Sequence, residues 1–452
     1  MITRFILSIL SGALVATAAL AAVSPEEAAR LGKDLTPLGA ERAGNADGSI
    51  PEWDPKSTPI PADFVPDSGN YIDPFADETP LYTIDADNWR DYAEVLTEGA
   101  KAVFEKLGPA GFKMHVYPSK RSYETPDWLY ANTRKNATNA RLVADGQKIE
   151  GNLPGTPFPI PQSALEVLWN HMIRYSEDYS QEYDVYYVSS DGNPVLSTTA
   201  YSTSVFPMFR NPDQLVGDTN WTKLRINYIG PPRRAGEILL VHEPGADYTK
   251  GKGRKAWQYL VGQRRVRLAP AVAFDTPNPA VAGTSTYDDA FIWNGSPERY
   301  DWTLLGKREV IIPYSNYRFL FQMKVEDLLG EKFLKPEHIR WEKHRVWVVE
   351  GNLKQGVRHL YSKRRFYFDE DSWSAYAGEM YDGRGNLWRV QFTYGAKLYD
   401  RKTGYNASYG AYDLLQDIYN LNAKPIPGKF KLGVTQSDKY FTPKGMARSG
   451  VR

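Results

Sequence analysis

The second half of the chain alternates apolar and polar residues with a period of two, which is typical of strands that bury one face. Short turns rich in Gly, Asn and Asp separate these runs. Because short connections favour antiparallel neighbours, the pattern predicts a mainly β (α+β) protein with one large curled antiparallel sheet, close to a half-barrel. The predicted strands cover residues 183–188, 195–203, 223–228, 237–242, 255–261, 264–268, 318–325, 345–350, 358–368, 379–381 and 387–394.

The first third shows helical patterns instead. Ser24 with Glu27, and Ser163 with Glu166, have the spacing of capping boxes, and each pair predicts the start of a helix. Apolar residues from Trp89 to Leu107 recur at three- and four-residue steps, which predicts an amphipathic helix. These N-terminal and inserted helices are expected to cover the sheet. A last helix is predicted at 410–422, followed by an extended tail.

Residues 1–22 have the pattern of a secretory signal peptide. Arg4 precedes an apolar run, and Ala19-Leu20-Ala21 provides small residues for cleavage near Ala21 or Ala22. A membrane anchor is the rival interpretation, but the run is short for a span and no basic stop-transfer flank follows it. The predicted segments are therefore 1–22 signal peptide, 23–140 helical and extended segment, 141–423 β domain and 424–452 extended tail.

Composition and charge narrow the possible chemistry. The chain of 452 residues has no cysteine, which excludes disulfides, thiolate nucleophiles, Cys-based metal sites and a lipid attached through an N-terminal Cys. A soluble periplasmic protein that is not a lipoprotein is expected. Residues 23–110 contain 18 acidic and 7 basic residues, although the whole chain has a net charge of +1. We expect this acidic segment to lie against a basic body, with a docking surface for an anionic partner as the alternative.

The sequence shows no catalytic motif. It contains no Gly-x-Ser-x-Gly, no Walker loop and no His-Glu-x-x-His. The adjacent acids Asp288 and Asp289 are interpreted as solvated turn residues, and His171 as a packed histidine. A non-enzyme without cofactor or metal is therefore expected. An outer-membrane barrel is an alternative fold, which the helical and Pro-rich first third opposes.

A basic stretch lies between Tyr248 and Phe274, with seven bases, no acid, and aromatic residues interleaved. It is interpreted either as a solvated strand face or as a cationic rim that holds an anionic head group. No nucleic-acid partner is expected, since exported proteins seldom meet nucleic acid. The rim candidates are Arg254, Lys255, Arg264, Arg265 and Arg267.

Several motifs carry a family resemblance that extends over nearly the whole chain after residue 22. They are SPEEAARLG at 24–32, PFPIP at 157–161, RWEKHRVWVVE at 340–350, RHLYSKR at 358–364 and YDGRGNLWR at 381–389. They resemble a bacterial domain-of-unknown-function family of exported proteins, which looks related to the LolA/LolB-like outer-membrane lipoprotein-sorting proteins. This resemblance implies a curled sheet closed by helices around an apolar cavity. It also implies a periplasmic carrier of lipids or other hydrophobic molecules that works with an inner-membrane RND-type exporter and an outer-membrane acceptor, and it supplies no catalytic residues.

The carrier hypothesis predicts that one parity of each strand lines the cavity. A loop at 284–293, with Phe291, is expected near its mouth. The alternatives are that these side chains pack against helices, that the protein is a periplasmic adaptor with a filled core, or that acids on the strands serve a hydrolase. The cavity candidates are Leu224, Ile226, Tyr228, Trp257, Tyr259, Phe291, Phe319, Phe321 and Met323.

Overall fold

The computed structural model describes residues 23–269 and 274–450. The predicted signal peptide lies outside these residues. Over the described ranges, no helix has both the length and the apolar character needed to span a membrane.

A single open sheet of fifteen strands organises the molecule. The strands are β1 Tyr82–Ile84, β2 Met114–Tyr117, β3 Arg141–Val143, β4 Lys148–Glu150, β5 Tyr179–Val188, β6 Pro194–Val205, β7 Asn220–Gly230, β8 Ile238–Pro244, β9 Lys255–Leu260, β10 Arg265–Leu268, β11 Tyr300–Pro313, β12 Trp341–Leu353, β13 Lys363–Asp369, β14 Ala375–Tyr381, β15 Leu387–Leu398, β16 Thr403–Asp413 and β17 Ile418–Leu432. The sheet order is β1-β2-β12-β13-β14-β15-β16-β17-β5-β6-β7-β8-β9-β10, with β11 also paired to β12, and β3 and β4 form a separate hairpin. Neighbouring strands pair antiparallel, except for a short parallel contact between β2 and β12.

Helices are few and short, and their caps follow from the sequence. Ser24 and Glu27 form the predicted capping box, and the Ser163 hydroxyl accepts a bond from the backbone N–H of Glu166. The α-helices are α1 Pro25–Ala28, α2 Glu98–Leu107, α3 Asp127–Asn139, α4 Ala164–Met172, α5 Val325–Leu328 and α6 Pro443–Gly450. Short 3-10 segments lie at Trp89–Val95, Gly108–Ala110, Pro207–Phe209, Val261–Gln263, Pro279–Val281, Tyr287–Asp289, Pro297–Arg299, Pro336–His338 and Asp438–Phe441, and a π-helix lies at Arg318–Gln322.

The large, mainly antiparallel sheet confirms the predicted fold class, but several local predictions are wrong. The run 318–325 is a π-helix followed by α5, because its aromatic residues are buried on all sides and their short alternation does not separate strand from helix. The predicted helix at 410–422 is instead the end of β16, a turn at 414–417 and the beginning of β17. β17 continues to Leu432, so the expected extended tail begins as a sheet strand and ends as α6.

The pattern from Trp89 to Leu107 forms two helical segments instead of one. Thr97 starts α2 by accepting a bond from the backbone N–H of Ala100, which separates α2 from the preceding 3-10 turn. The first helix ends at Ala28, earlier than its sequence pattern indicates, and α3 and β11 have no counterpart among the predicted elements.

Both faces of the sheet are covered. We call the side that carries Leu224, Ile226 and Tyr228 the pocket face. A long loop, residues 274–296, lies against this face, whereas α6 covers Tyr259 and its neighbours on the opposite face. Strands such as β14 are buried along their whole length, so the elements that cover the sheet are part of the core.

The acidic N-terminal segment pairs with basic residues of the sheet, as expected from its charge. Lys307 Nζ lies 2.9 Å from Glu41 Oε1, and Arg340 Nη2 lies 2.7 Å from Glu78 Oε2. Lys343 also contacts Asp47 at 3.1 Å. The segment therefore neutralises basic side chains at one edge of the sheet and also covers that edge.

Lys424 on β17 provides a pH-dependent test of the fold. It is buried, its ammonium donates to the carbonyl of Met323, and burial lowers its pKa to about 7. An unfolded lysine titrates near pH ~10.4. Between these values the unfolded chain binds more protons than the folded one, so the stability contributed at this site rises with pH above 7.

We predict that Lys424→Met removes a positive slope of about 1 kcal/mol per pH unit in the unfolding free energy between pH 7 and 9. Urea denaturation at several pH values measures this slope. Lys431→Met, at an exposed position of the same strand, is the control and should keep the wild-type slope. Equal slopes in wild type and Lys424→Met would contradict the prediction.

Candidate ligand pocket

A pocket of about 200 Å³ lies between the pocket face and the loop 274–296. A water molecule needs about 10–15 Å³ of such space, so the pocket has room for a small molecule or part of an apolar chain. Strands β5, β7, β8 and β16 provide most of its wall because the same parity of each strand points to one side. The apolar lining consists of Tyr183, Val185, Leu224, Ile226, Tyr228, Leu239, Val241, Ala407, Tyr409 and Ala423.

A second pocket of about 60 Å³ adjoins the first. Arg174, Ser176 and Asn406 contribute to its wall. The two pockets share part of their lining, including Phe291, which lies between them. Together they form one cleft, with the apolar strand residues in the wall of the larger part and Arg174 in the wall of the smaller part.

The loop reaches the sheet in a strained conformation. Phe291 and Ile292 both have positive φ angles, 56° and 71°, a region that is costly for bulky and β-branched residues. Ile292 is buried against Gly378 of β14, where an added Cβ would lie 2.6 Å from the Ile292 Cγ2 atom. Gly378 therefore permits the close approach that places Phe291 over the cleft.

A buried ionic cluster fastens the loop to the sheet. Arg364 of β13 contacts Asp288 at 2.7 Å and Asp289 at 2.5 Å, and all three side chains are buried. His359 Nε2 also lies 3.1 Å from Asp288, and the Tyr361 hydroxyl donates to Asp289 at 2.8 Å. The interpretation of these adjacent acids as solvated turn residues is wrong: they are partners of a buried arginine.

The electrostatics of Asp288 follow from this cluster. Burial opposes its ionisation, but the charge of Arg364 and the bonds from His359 and Thr286 outweigh burial, so the pKa of Asp288 lies below its usual range. The carboxylate is therefore held in its charged form, where it serves the ion pair with Arg364.

Further bonds hold the loop along its length. Arg254, just before β9, donates to the carbonyls of Tyr287 and Asn294. Arg389 of β15 donates to the carbonyl of Gly283 at 2.7 Å. These contacts make the loop a fixed wall of the cleft over the described residues.

Four of the predicted cavity residues meet in the cleft. Leu224, Ile226 and Tyr228 lie in the wall of the larger pocket, and Phe291 faces both pockets. Trp257 and Tyr259 lie on the opposite face instead, where Tyr259 packs with Leu240 and α6. Leu240 pairs with Trp257, and residues paired across a ladder share a face. Leu240 points away from Leu239 and Val241, which line the pocket, so Trp257 also points away from the pocket.

The remaining cavity candidates belong to the packed core. Phe319 stacks on Tyr394 with 4.4 Å between ring centroids, and Phe321 packs against Phe430. Met323 is partly buried against the same cluster. These three side chains fill space between the π-helix and the sheet, which matches the alternative that they are packing residues.

The residues of the predicted cationic rim are also divided, between the larger pocket and the exposed surface. Arg254 lines the larger pocket, but its Nε donates to Glu243 at 2.6 Å and its charge is balanced there. The other four candidates are exposed on β9, β10 and the turn between them: Lys255, Arg264, Arg265 and Arg267. Arg174, which sequence reasoning missed, is the basic residue in the wall of the smaller pocket. A lone arginine after a helix carries no sequence signal for such a role.

One group of potential metal ligands occurs in the described residues. Atoms of His344, Asp369 and Asp371 lie within 4.8 Å of one another. Asp371, however, accepts hydrogen bonds from both Nε and Nη2 of Arg121. The positive guanidinium therefore already neutralises the carboxylate that a metal ion would bind. His171 is a packed histidine, as expected, because both ring nitrogens meet backbone groups near Trp293 and Trp373.

The chain belongs to the family described as "protein of unknown function (DUF1329)", whose model matches residues 83–447. It is 39% identical over 458 residues to the uncharacterized protein PA3922 of Pseudomonas aeruginosa, with 98% of each chain covered. This finding confirms the predicted resemblance to a domain-of-unknown-function family.

The solved structures that this chain is similar to share little sequence with it. One is a putative outer membrane lipoprotein-sorting protein domain from Vibrio parahaemolyticus, at 14% identity and a TM-score of 0.40, covering 60% of this chain and 92% of that chain. Another is a DUF1329 family protein from Desulfovibrio piger, at 15% identity and 0.39, covering 61% and 93%. A third is a LolA superfamily protein from Nitrosomonas europaea, at 13% identity and 0.35, covering 62% and 98%.

We predict that Asp288→Asn destabilises the protein by about 3 kcal/mol at neutral pH, because it weakens a buried ion pair and leaves the charge of Arg364 less balanced. Since the pKa of Asp288 is depressed in the folded state, the difference should shrink as pH falls through and below about 4. Urea denaturation at pH 7 and at about pH 2.5, well below the unfolded pKa of about 3.9, measures both effects. Asp301→Asn, at an exposed position of β11, is the control. Equal stability of wild type and Asp288→Asn at pH 7 would contradict the role of the cluster.

Proposed function

We propose that this protein is a periplasmic carrier that holds the apolar part of a lipid or similar molecule in the larger pocket. The apolar lining of that pocket on the pocket face, beneath a fastened loop, is the observation that carries the proposal. The sequence resemblance to lipoprotein-sorting carriers supports it independently. The predicted signal peptide supports the location.

The pocket has the character that such a ligand requires. Burying a methylene group is worth about 0.8 kcal/mol, so a chain of fifteen carbons gains at most ~12 kcal/mol if all of it is enclosed. Binding of that strength protects a lipid from water and makes unassisted release slow. Release then needs either a conformational change or an acceptor with higher affinity.

The loop 274–296 is the element that would have to move for a long chain to enter or leave. Phe291 separates the two pockets, and its strained backbone lowers the cost of leaving the present conformation. The buried cluster around Arg364 holds Asp288 and Asp289 in place, so in this proposal the motion is local to Phe291. In this proposal an inner-membrane RND-type exporter loads the carrier and an outer-membrane acceptor unloads it.

Filling the pocket provides the test. We predict that Leu239→Trp weakens binding of the neutral hydrophobic dye Nile red at least tenfold, because the indole occupies the space beside Ile226 and Tyr228. Fluorescence titration of protein freed of bound lipid measures the dissociation constant. Leu268→Trp, at an exposed position of β10, adds the same side chain outside the pocket and should leave binding unchanged.

Two results would contradict the carrier proposal. Unchanged dye affinity in Leu239→Trp would show that the dye binds elsewhere. Failure of the wild-type protein to bind the dye would favour a periplasmic adaptor with a filled core, which is the alternative function.

A further inference from the structure

Arg174 is a half-buried cation without a carboxylate partner in the part of the chain that the structure describes. It lies two residues beyond α4, in the wall of the smaller pocket. Its Nη1 donates to the carbonyl of His171 at 2.8 Å, and that is the one hydrogen bond its guanidinium makes to a described residue. The buried Arg121, Arg364 and Arg389 each contact a carboxylate. The buried Arg225 contacts no carboxylate among the described residues, but its guanidinium donates three hydrogen bonds, to Asn227, Tyr440 and Ser449.

Aromatic rings hold the guanidinium in place. Its central carbon lies 5.3 Å from the ring centroid of Trp221 and 5.3 Å from that of Phe291. Trp221 Nε1 also donates to the backbone carbonyl of Arg174 at 2.8 Å. Cation–π contacts orient an arginine but do not neutralise its charge. Nε and Nη2 thus remain available for a planar, two-oxygen acceptor.

The other charged groups of the cleft are already balanced. Glu243 lines both pockets, but it accepts bonds from Arg254 at 2.6 Å and from Asn294 at 3.2 Å. Arg234, in the larger pocket, lies 3.4 Å from Glu237. Burial lowers the pKa of Arg174 to about 10, which still leaves it charged at neutral pH. A charge that is partly withdrawn from water without a partner is costly, and an anion from outside the chain would reduce that cost.

We infer that the ligand of the cleft is an anionic amphiphile whose carboxylate or phosphate head binds Arg174 while its apolar tail occupies the larger pocket. Ser176 and Asn406, in the same small pocket, provide further polar groups around the head. The inference rests on the proposed carrier function and specifies its cargo class. It also assigns head-group binding to Arg174 instead of the exposed bases of β9 and β10.

Isothermal titration of protein freed of bound lipid, with decyl phosphate, decanoate, decanol and inorganic phosphate, tests the inference. Wild type should bind the two anionic amphiphiles at least tenfold more tightly than decanol, and inorganic phosphate much more weakly than decyl phosphate. Arg174→Met should reduce the affinity for both anions to that for decanol and leave decanol binding unchanged. Arg174→Gln, which keeps a polar side chain without the charge, is the second variant and should behave in the same way.

Arg267→Met is the control, since it removes an exposed base of β10, and it should leave all four affinities unchanged. Equal wild-type affinity for decyl phosphate and decanol, or unchanged anion binding in the Arg174 variants, would overturn the inference and leave the carrier function standing. Inorganic phosphate that binds as tightly as decyl phosphate would also overturn it, because the site would then recognise a free anion. Failure of every amphiphile to bind would overturn the carrier function as well.

Discussion

The buried contact between Arg364 and the carboxylates of Asp288 and Asp289 is the constraint on which the cleft depends. It joins the loop 274–296 to β13 in the middle of a sheet whose other face is already covered. Separating these charges without water would cost several kcal/mol, so the loop and the sheet are expected to fold as one unit. The loop covers β5, β7 and β8 but does not fill the space above them, and that space is the cleft.

This arrangement explains how one loop can be both fixed and movable. Arg364, Arg254 and Arg389 hold residues on both sides of Phe291, whereas Phe291 itself adopts a backbone conformation that bulky residues rarely take. A carrier needs both properties, since the held residues preserve the pocket and a strained residue moves at lower cost. The strained backbone at Phe291 therefore lowers the cost of the local motion that ligand entry requires.

Much of the fold could be predicted because its local signals agree with its tertiary structure. Alternation with a period of two identified most strands from β5 to β15, and the capping boxes at Ser24 and Ser163 marked true helix starts. The run from Phe319 to Met323 failed because residues buried on every side show no periodicity that separates helix from strand. Residues 410–422 failed for a related reason, since most of β16 is buried on both faces.

The site was predictable only in part because its residues come together through strand register. Leu224, Ile226 and Tyr228 share one strand, so their common face follows directly from the sequence. The faces of Trp257 and Tyr259 depend on how β9 pairs with β8, which the sequence did not provide. Arg174 is recognisable only in three dimensions, by the lack of an acid near it among the described residues.

The central claim, that the cleft holds a hydrophobic cargo, is tested most directly by native mass spectrometry of protein purified gently from periplasm, together with mass spectrometry of the extracted lipids. The account predicts one hydrophobic anion per chain in wild type, and its loss or reduction in Leu239→Trp but not in Leu268→Trp. A mass without adduct that stays unchanged after incubation with total membrane lipid would contradict the account.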